Sequence, residues 1–176
     1  MKAGTRCFNQ KGFNGTSLDE IAEQLRVSKG AFYYHFANKE ALLTQCFDYT
    51  LDQLENVVNG IEQLDAQPAA QLEIACRHIF ALQNTEQGPL MHFNAITALP
   101  SPVRQRLLTR VDRVHAKLET YVREAGAVGQ FMRVPPRIVI QLLTGALNAA
   151  MDLDEWQAIE SIDQSAAAYF SVFFLG

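Results

Sequence analysis

The sequence predicts an all-α fold in which an N-terminal three-helix head is joined by a long helix to a larger helical body. Apolar residues recur at intervals of three and four along most of the 176 residues, and no segment shows the alternation of a strand. Between residues 17 and 43, two short amphipathic patterns meet across a three-residue turn. This spacing predicts a helix-turn-helix in the head.

The first helix of this motif is predicted from one apolar stripe, formed by Leu18, Ile21, Ala22 and Leu25. Its polar residues, among them Asp19, are expected to face away from that stripe. Thr16 or Ser17 is placed to cap the helix start. Residues 26–28 form the turn, and we expect Val27 to fill the angle between the two helices.

The second helix of the motif is expected to begin at a Ser28 cap, with Phe32 and Phe36 pointing into the head. Its outer face then consists of Lys29, Gly30, Tyr33 and Tyr34. Lysine donates to guanine edges or phosphates, tyrosine hydroxyls reach phosphates, and glycine permits close backbone approach. The outer face of this second helix therefore fits a DNA groove. The alternative is an ordinary surface helix with exposed tyrosines.

Asn38 is expected to cap the long helix that follows, which places Lys39 in its first turn. The helix dipole disfavours a cation there by several tenths of a kcal/mol. A phosphate bound by Lys39 and the free backbone N–H groups would remove this conflict. A solvated lysine is the alternative.

The segment GFNGTSLDEIAEQLRVSKGAFYYHFANKEALL resembles the DNA-binding domain of the TetR family of bacterial transcriptional repressors. The similarity combines a helix that ends before Gly12, the Thr16 or Ser17 start, the VSKG turn, the YYHF segment and the NKEALL helix start. It implies phosphate contacts from Thr16, Ser17, Tyr33, His35 and Lys39, base or groove contacts from Lys29, Gly30 and Tyr34, and a place for Ser28 on the same surface. Only MKAGTRCFNQ precedes Lys11, so we expect a shortened first helix with Ala3, Cys7 and Phe8 facing inward.

Composition limits the function classes. The net charge is -4 and the pI is about 5.5, which argues against indiscriminate nucleic-acid binding. Residues 1–50 hold six basic and five acidic residues, a balance of +1, which leaves -5 for the remainder. Three cysteines without CxxC spacing do not predict disulfides or zinc, although redox sensing by Cys46 or Cys76 is left open. No apolar stretch is long enough for a bilayer, so we expect a cytoplasmic protein.

The body is predicted to contain helices at about 39–58, from Pro68 to before Gly88, at 90–98 and 103–125, and at 136–152 and 162–175. The predicted domains are the head, residues 1–45, and the body, residues 46–176. The last two helices are broadly apolar, through Val139, Leu142, Leu143, Ala146, Leu147, Ala150, Tyr169, Phe170, Phe173 and Phe174. The resemblance implies that this pair forms a four-helix homodimer interface. The alternative is that these residues close the protomer's own core.

The resemblance also implies a small-molecule pocket in the body and release of DNA when that effector binds. Candidate ligand contacts are polar or aromatic residues on apolar faces: Phe80, Asn84, His92, Tyr121, Gln141, Asn148 and, less directly, Trp156. Each of these also fits a core or surface position. The effector itself is not predicted.

Catalytic, cofactor and metal sites are not predicted. Cys76 and His78 diverge on a helix, and His115 with Glu119 more simply form a solvated pair. The predicted function is thus a ligand-responsive repressor that binds a double-stranded operator. The alternative is a helical ligand-carrying or partner-binding protein whose head does not engage DNA.

Overall fold

A computed structural model describes residues 1–82, 89–129 and 134–152, with side chains to residue 148 in the last range. Its regular elements there are α1 (Lys2–Gly15), α2 (Leu18–Gln24), α3 (Lys29–His35), α4 (Lys39–Ile61), α5 (Pro68–Leu82), a 3-10 helix (Phe93–Ala98), α6 (Ser101–Ala127) and α7 (Pro136–Asp152). The all-α prediction is confirmed. Within these ranges no helix has both the length and the apolar character needed to cross a membrane.

The chain forms two compact units. The first contains Met1–Asp52 and Asn84–Arg110, and the second contains Gln53–Gln83 and Val111–Gly176. Both α4 and α6 contribute residues to each unit. The domain division at residues 45 and 46 stays a prediction, and the predicted last helix at 162–175 lies outside the described residues.

The core of the first unit joins the head helices to the start of α4. Its fully buried side chains include Phe8, Ile21, Ala22, Leu43 and Phe47. Cys7 and Phe8 face inward as predicted, whereas Ala3 is only half-buried. Gly4 instead lies closest to α4, since a Cβ there would be 3.3 Å from both Leu42 and Cys46. The α1 helix is interrupted at Gly12, whose φ of 68° suits glycine.

The segment before the 3-10 helix is extended rather than helical, so the predicted start at Leu90 is wrong. Asn9 of α1 holds this segment: its Nδ2 donates to the Leu90 carbonyl at 2.8 Å, and its Oδ1 accepts from the His92 N–H at 3.0 Å. The next helix, predicted to begin at residue 103, begins at Ser101 instead, and Pro102 lies in its first turn, where its missing N–H costs no helical bond.

The second unit buries one face each of α5, α6 and α7. The buried residues include Leu72, Cys76 and Ile79 of α5, Val114, Leu118 and Val122 of α6, and Val139, Leu143 and Leu147 of α7. Three residues assigned to the dimer interface, Val139, Leu143 and Leu147, therefore belong to the protomer's own core. Ile138 and Leu142 are exposed on another face of α7. The helix thus has two apolar faces, where a single broad one was expected.

Candidate nucleic-acid interface

The start of α2 lacks the side-chain capping hydrogen bond that was predicted. Ser17 occupies the capping position with extended backbone, but its side chain makes no capping hydrogen bond. Thr16 is buried, and its hydroxyl donates to the Gly12 carbonyl at 2.7 Å. The side-chain cap predicted for Thr16 or Ser17 is therefore wrong, because Thr16 ties α2 back to the end of α1.

Backbone hydrogen bonds, rather than a buried apolar side chain, close the turn after α2. Arg26 has a φ of 55°, its N–H donates to the Glu23 carbonyl, and the Val27 N–H donates to the Ala22 carbonyl. This is a Schellman ending with a non-glycine residue in the left-handed position. It turns the chain outward, so Leu25 and Val27 are 51% and 44% exposed. The expected core positions of these two residues were wrong.

The α3 helix follows its prediction closely. The Ser28 Oγ accepts from the Ala31 N–H at 3.2 Å, which is the expected cap. Phe32 is buried and Phe36 is half-buried, with their ring centroids 5.1 Å apart. This packing fixes which side of α3 faces the head. It leaves exposed the α3 outer face, which consists of Lys29, Gly30, Tyr33 and Tyr34.

The exposed side chains of α3 include all the residues predicted to contact bases or phosphates there. Tyr34 is 87% exposed, and Lys29, Gly30, Tyr33 and His35 are exposed as well. A Cβ placed on Gly30 would meet nothing within 4 Å. The fold therefore does not need a glycine at this position, and a contact between Gly30 and DNA stays a prediction.

Asp19 faces away from the apolar stripe of α2, as expected, and contacts the α3 outer face. Its Oδ2 accepts from Lys29 Nζ at 2.5 Å and its Oδ1 accepts from the Tyr33 hydroxyl at 3.3 Å. The hydrogen bond from Lys29 lowers the pKa of the Asp19 carboxyl, and the same bond raises the pKa of Lys29. The sequence has no acidic residue between residues 28 and 39, but Asp19, ten residues before Lys29, brings a carboxylate to this surface.

Lys39 already has intramolecular partners. Asn38 caps α4 as predicted, since its Oδ1 accepts from the Ala41 N–H at 2.8 Å. Lys39 Nζ donates to the Thr16 carbonyl at 3.0 Å and lies 4.5 Å from the centroid of the Phe13 ring. These contacts offset the unfavourable helix dipole without a phosphate. An ammonium has three donors, so a phosphate contact from Lys39 stays a prediction.

Comparisons with known proteins agree with this geometry. The profile of the family described as bacterial regulatory proteins, tetR family, matches residues 1–46, which span α1 to α3 and the start of α4. Residues 1–46 therefore match a TetR-family domain. It is 43% identical over 63 residues to YerO of Bacillus subtilis, an uncharacterized HTH-type transcriptional regulator, covering 36% of this chain and 22% of YerO.

A second relative is IcaR of Staphylococcus aureus, described as the negative transcriptional regulator of the biofilm operon icaADBC. This chain is 37% identical to it over 51 residues, which is 29% of the chain and 27% of IcaR. The chain thus spans about a quarter of the length of these curated relatives.

Among solved structures, AibR in complex with isovaleryl coenzyme A and operator DNA superposes with a TM-score of 0.83, at 23% identity over 98% of this chain and 95% of AibR. At that identity the likeness establishes the fold. The likeness covers both the head and the body.

The predicted ligand contacts are divided between the two units. Phe80 and Tyr121 are buried in the second unit, where Asn148 is half-buried and Gln141 is exposed. His92 is buried in the first unit. Asn84 and Trp156 lie outside the described residues. The exposure of Gln141 argues against a contact with an enclosed ligand, and the other assignments stay predictions.

Proposed function

We propose that this TetR-family protein is a DNA-binding transcriptional regulator that represses its target and is released by a small molecule. One observation carries the proposal: Lys29, Tyr33 and Tyr34 surround an open Gly30 on a helix whose opposite side is fixed by Phe32. Such a helix can enter a major groove, with hydroxyls and an ammonium directed at phosphates and base edges.

DNA binding is tested best at Tyr34. Its exposure means that truncation should leave the fold intact, whereas Lys39→Ala would also remove the contacts to Thr16 and Phe13. We expect Tyr34→Ala to weaken binding about tenfold or more to a duplex selected by the wild type from a randomised pool. Fluorescence anisotropy measures the affinity.

A matched control is Leu64→Ala, which truncates an exposed side chain in the second unit. It should bind the selected duplex as the wild type does, and both variants should keep the wild-type melting temperature. If the wild type selects no sequence, or if Tyr34→Ala binds unchanged, the DNA-binding proposal is wrong. The ligand-carrying or partner-binding function would then be favoured.

A homodimer follows from the same proposal, because a two-fold axis presents two recognition helices to half-sites about 34–36 Å apart. The exposed apolar residues of α7 support it: Ile138, Leu142 and Gly145 lie on one stripe, and a Cβ on Gly145 would meet nothing within 4 Å. Leu142→Glu should convert the dimer to a monomer in sedimentation experiments. Dimers that persist in this variant would place the interface elsewhere.

Effector release is proposed from the resemblance to the family. AibR, solved with isovaleryl coenzyme A and operator DNA together, supports a small-molecule site and a DNA site within one such fold, but not release itself. An effector must bind the DNA-incompatible arrangement more tightly than the other for release to occur. Thermal-shift screening that includes isovaleryl coenzyme A, followed by anisotropy on the bound duplex, identifies such a molecule. Repression itself is tested by a reporter placed behind the selected duplex, where an increase of expression by the regulator would indicate activation instead.

A further inference from the structure

The α3 outer face carries a carboxylate contact that DNA binding alone does not explain. Asp19 projects from the first turn of α2 and binds both Lys29 and Tyr33, at 2.5 Å and 3.3 Å. These are two of the three side chains that our proposed function directs at DNA. One acidic group thus restrains most of the functional atoms of that surface.

For affinity alone, Asp19 is unfavourable. Its carboxylate lies beside groups that would meet phosphates, and like charges repel. The ion pair is largely exposed to solvent, so it adds little to folding stability. The helix dipole favours a carboxylate in the first turn of α2, but neither stability nor general attraction to DNA accounts for its contact with both Lys29 and Tyr33.

Selectivity does account for it. A lysine ammonium on its flexible four-carbon stem contacts the phosphates of any sequence and so strengthens nonspecific binding. When Asp19 binds that ammonium, a DNA phosphate must compete with the carboxylate for it. Contacts to bases are favoured instead, because Lys29 and Tyr33 are already positioned and lose less entropy on binding.

We propose that Asp19 is a specificity-determining residue, which restrains Lys29 and Tyr33 from general phosphate contact and positions them for one operator sequence. The inference rests on the proposed DNA-binding function. It assigns the carboxylate to discrimination between duplexes rather than to binding strength.

Glu20 provides a matched control. It is the next residue of α2, it is exposed, and it accepts from Lys11 Nζ at 2.8 Å. Glu20→Gln removes the same charge and also breaks a surface ion pair, but it keeps the hydrogen bonds from Lys29 and Tyr33 to Asp19. The difference between Asp19→Asn and Glu20→Gln therefore isolates the contact from the change in net charge.

The experiment compares a duplex selected by the wild type from a randomised pool with a scrambled duplex of equal length, across a series of salt concentrations. We expect Asp19→Asn to bind the scrambled duplex several-fold more tightly and to steepen the salt dependence by about one counterion per head. The ratio of selected to scrambled affinity should fall about fivefold, the low end for one base contact. Glu20→Gln should keep the wild-type ratio.

A double variant locates the effect. If Asp19 acts through Lys29, Asp19→Asn should no longer change the salt dependence in a Lys29→Ala background. Melting temperatures check the fold, and Asp19→Ser gives a second loss of the same charge.

The inference is overturned if Asp19→Asn keeps the wild-type ratio, if it changes the ratio no more than Glu20→Gln does, or if the double variant retains the full effect. A wild type that selects no duplex overturns the proposed function instead, so the two failures are distinguishable.

Discussion

Thr50 of α4 accepts a hydrogen bond from the backbone N–H of Met91 at 2.9 Å, and both residues are fully buried in the first unit. Valine has the shape of threonine but offers no acceptor. We expect Thr50→Val to lower the free energy of unfolding by about 1–3 kcal/mol, because the buried N–H loses its partner. Denaturant titration measures the change.

The control for this prediction is Thr109→Val. Thr109 Oγ1 donates to the Gln105 carbonyl at 3.0 Å on an exposed part of α6, where water can replace the lost bond. We expect a change within about 0.5 kcal/mol there. Equal losses in the two variants would show that the Met91 contact contributes nothing specific.

Asp48 joins α4 to α6 within the first unit. Its carboxylate accepts from Arg106 at 2.7 and 2.9 Å and from Arg110 at 3.0 Å. The Arg106 hydrogen bond, followed by the charges of Arg106 and Arg110, lowers the pKa of Asp48 from its ordinary 3.8. We expect Asp48→Asn to lower the free energy of unfolding by about 1–2 kcal/mol at neutral pH.

The pH dependence of this loss has a defined sign. A carboxyl whose pKa is lowered by folding stabilises the protein above pH 3.8, and this contribution is lost as pH falls through the folded-state pKa. The difference between Asp48→Asn and wild type should therefore shrink below pH 3.8. Glu62→Gln, which breaks the exposed 2.7 Å pair with Lys117, should cost at most about 1 kcal/mol. A larger effect at Glu62 than at Asp48 would contradict the prediction.

The cysteines are expected to be unreactive in the native protein. Burial raises the pKa of the Cys46 thiol to about 11 and that of Cys76 to about 12, and Cys7 is buried with a raised pKa as well. The thiolate is the reactive form, so redox sensing by Cys46 or Cys76 is disfavoured. A thiol-specific chromogenic reagent should label none of them before denaturation and all three after it. Rapid labelling of the native protein would contradict this.

Local signals carried most of the fold prediction. The caps at Ser28 and Asn38, the break at Gly12 and the start at Pro68 each depend on the chemistry of one or two neighbouring residues. For this reason the starts of α3, α4 and α5 could be predicted from the sequence alone.

Tertiary contacts explain the errors. Asp19 reaches Lys29 only because the two helices cross, and Asn9 bonds to Leu90 from 81 positions earlier in the chain. Neither pairing leaves a periodic signal. Leu25 is exposed because Arg26 adopts a left-handed backbone conformation, which the sequence does not indicate since the residue is not a glycine. The prediction gave α7 one broad apolar face because periodicity does not show which apolar residues pack in the protomer's own core.

His115 of α6 should make the stability of the protein depend on pH near neutrality. Burial lowers its pKa from the ordinary 6.5, and Arg137 acts in the same direction, while the carboxylates of Asp112 and Glu119 partly oppose them. Below pH 6.5 the unfolded chain therefore binds more protons at His115 than the folded chain does. Stability should fall as pH decreases from about 7 to about 5, by about 1 kcal/mol or less.

His115→Gln should flatten this part of the stability curve, measured by denaturant titration at each pH. His78→Gln, at an exposed position of α5, is the matched control and should keep the wild-type slope. If the slope survives in His115→Gln, another group carries the proton linkage. If instead stability rises on acidification in the wild type but not in His115→Gln, the carboxylates of Asp112 and Glu119 outweigh burial, and folding raises the pKa of His115 rather than lowering it.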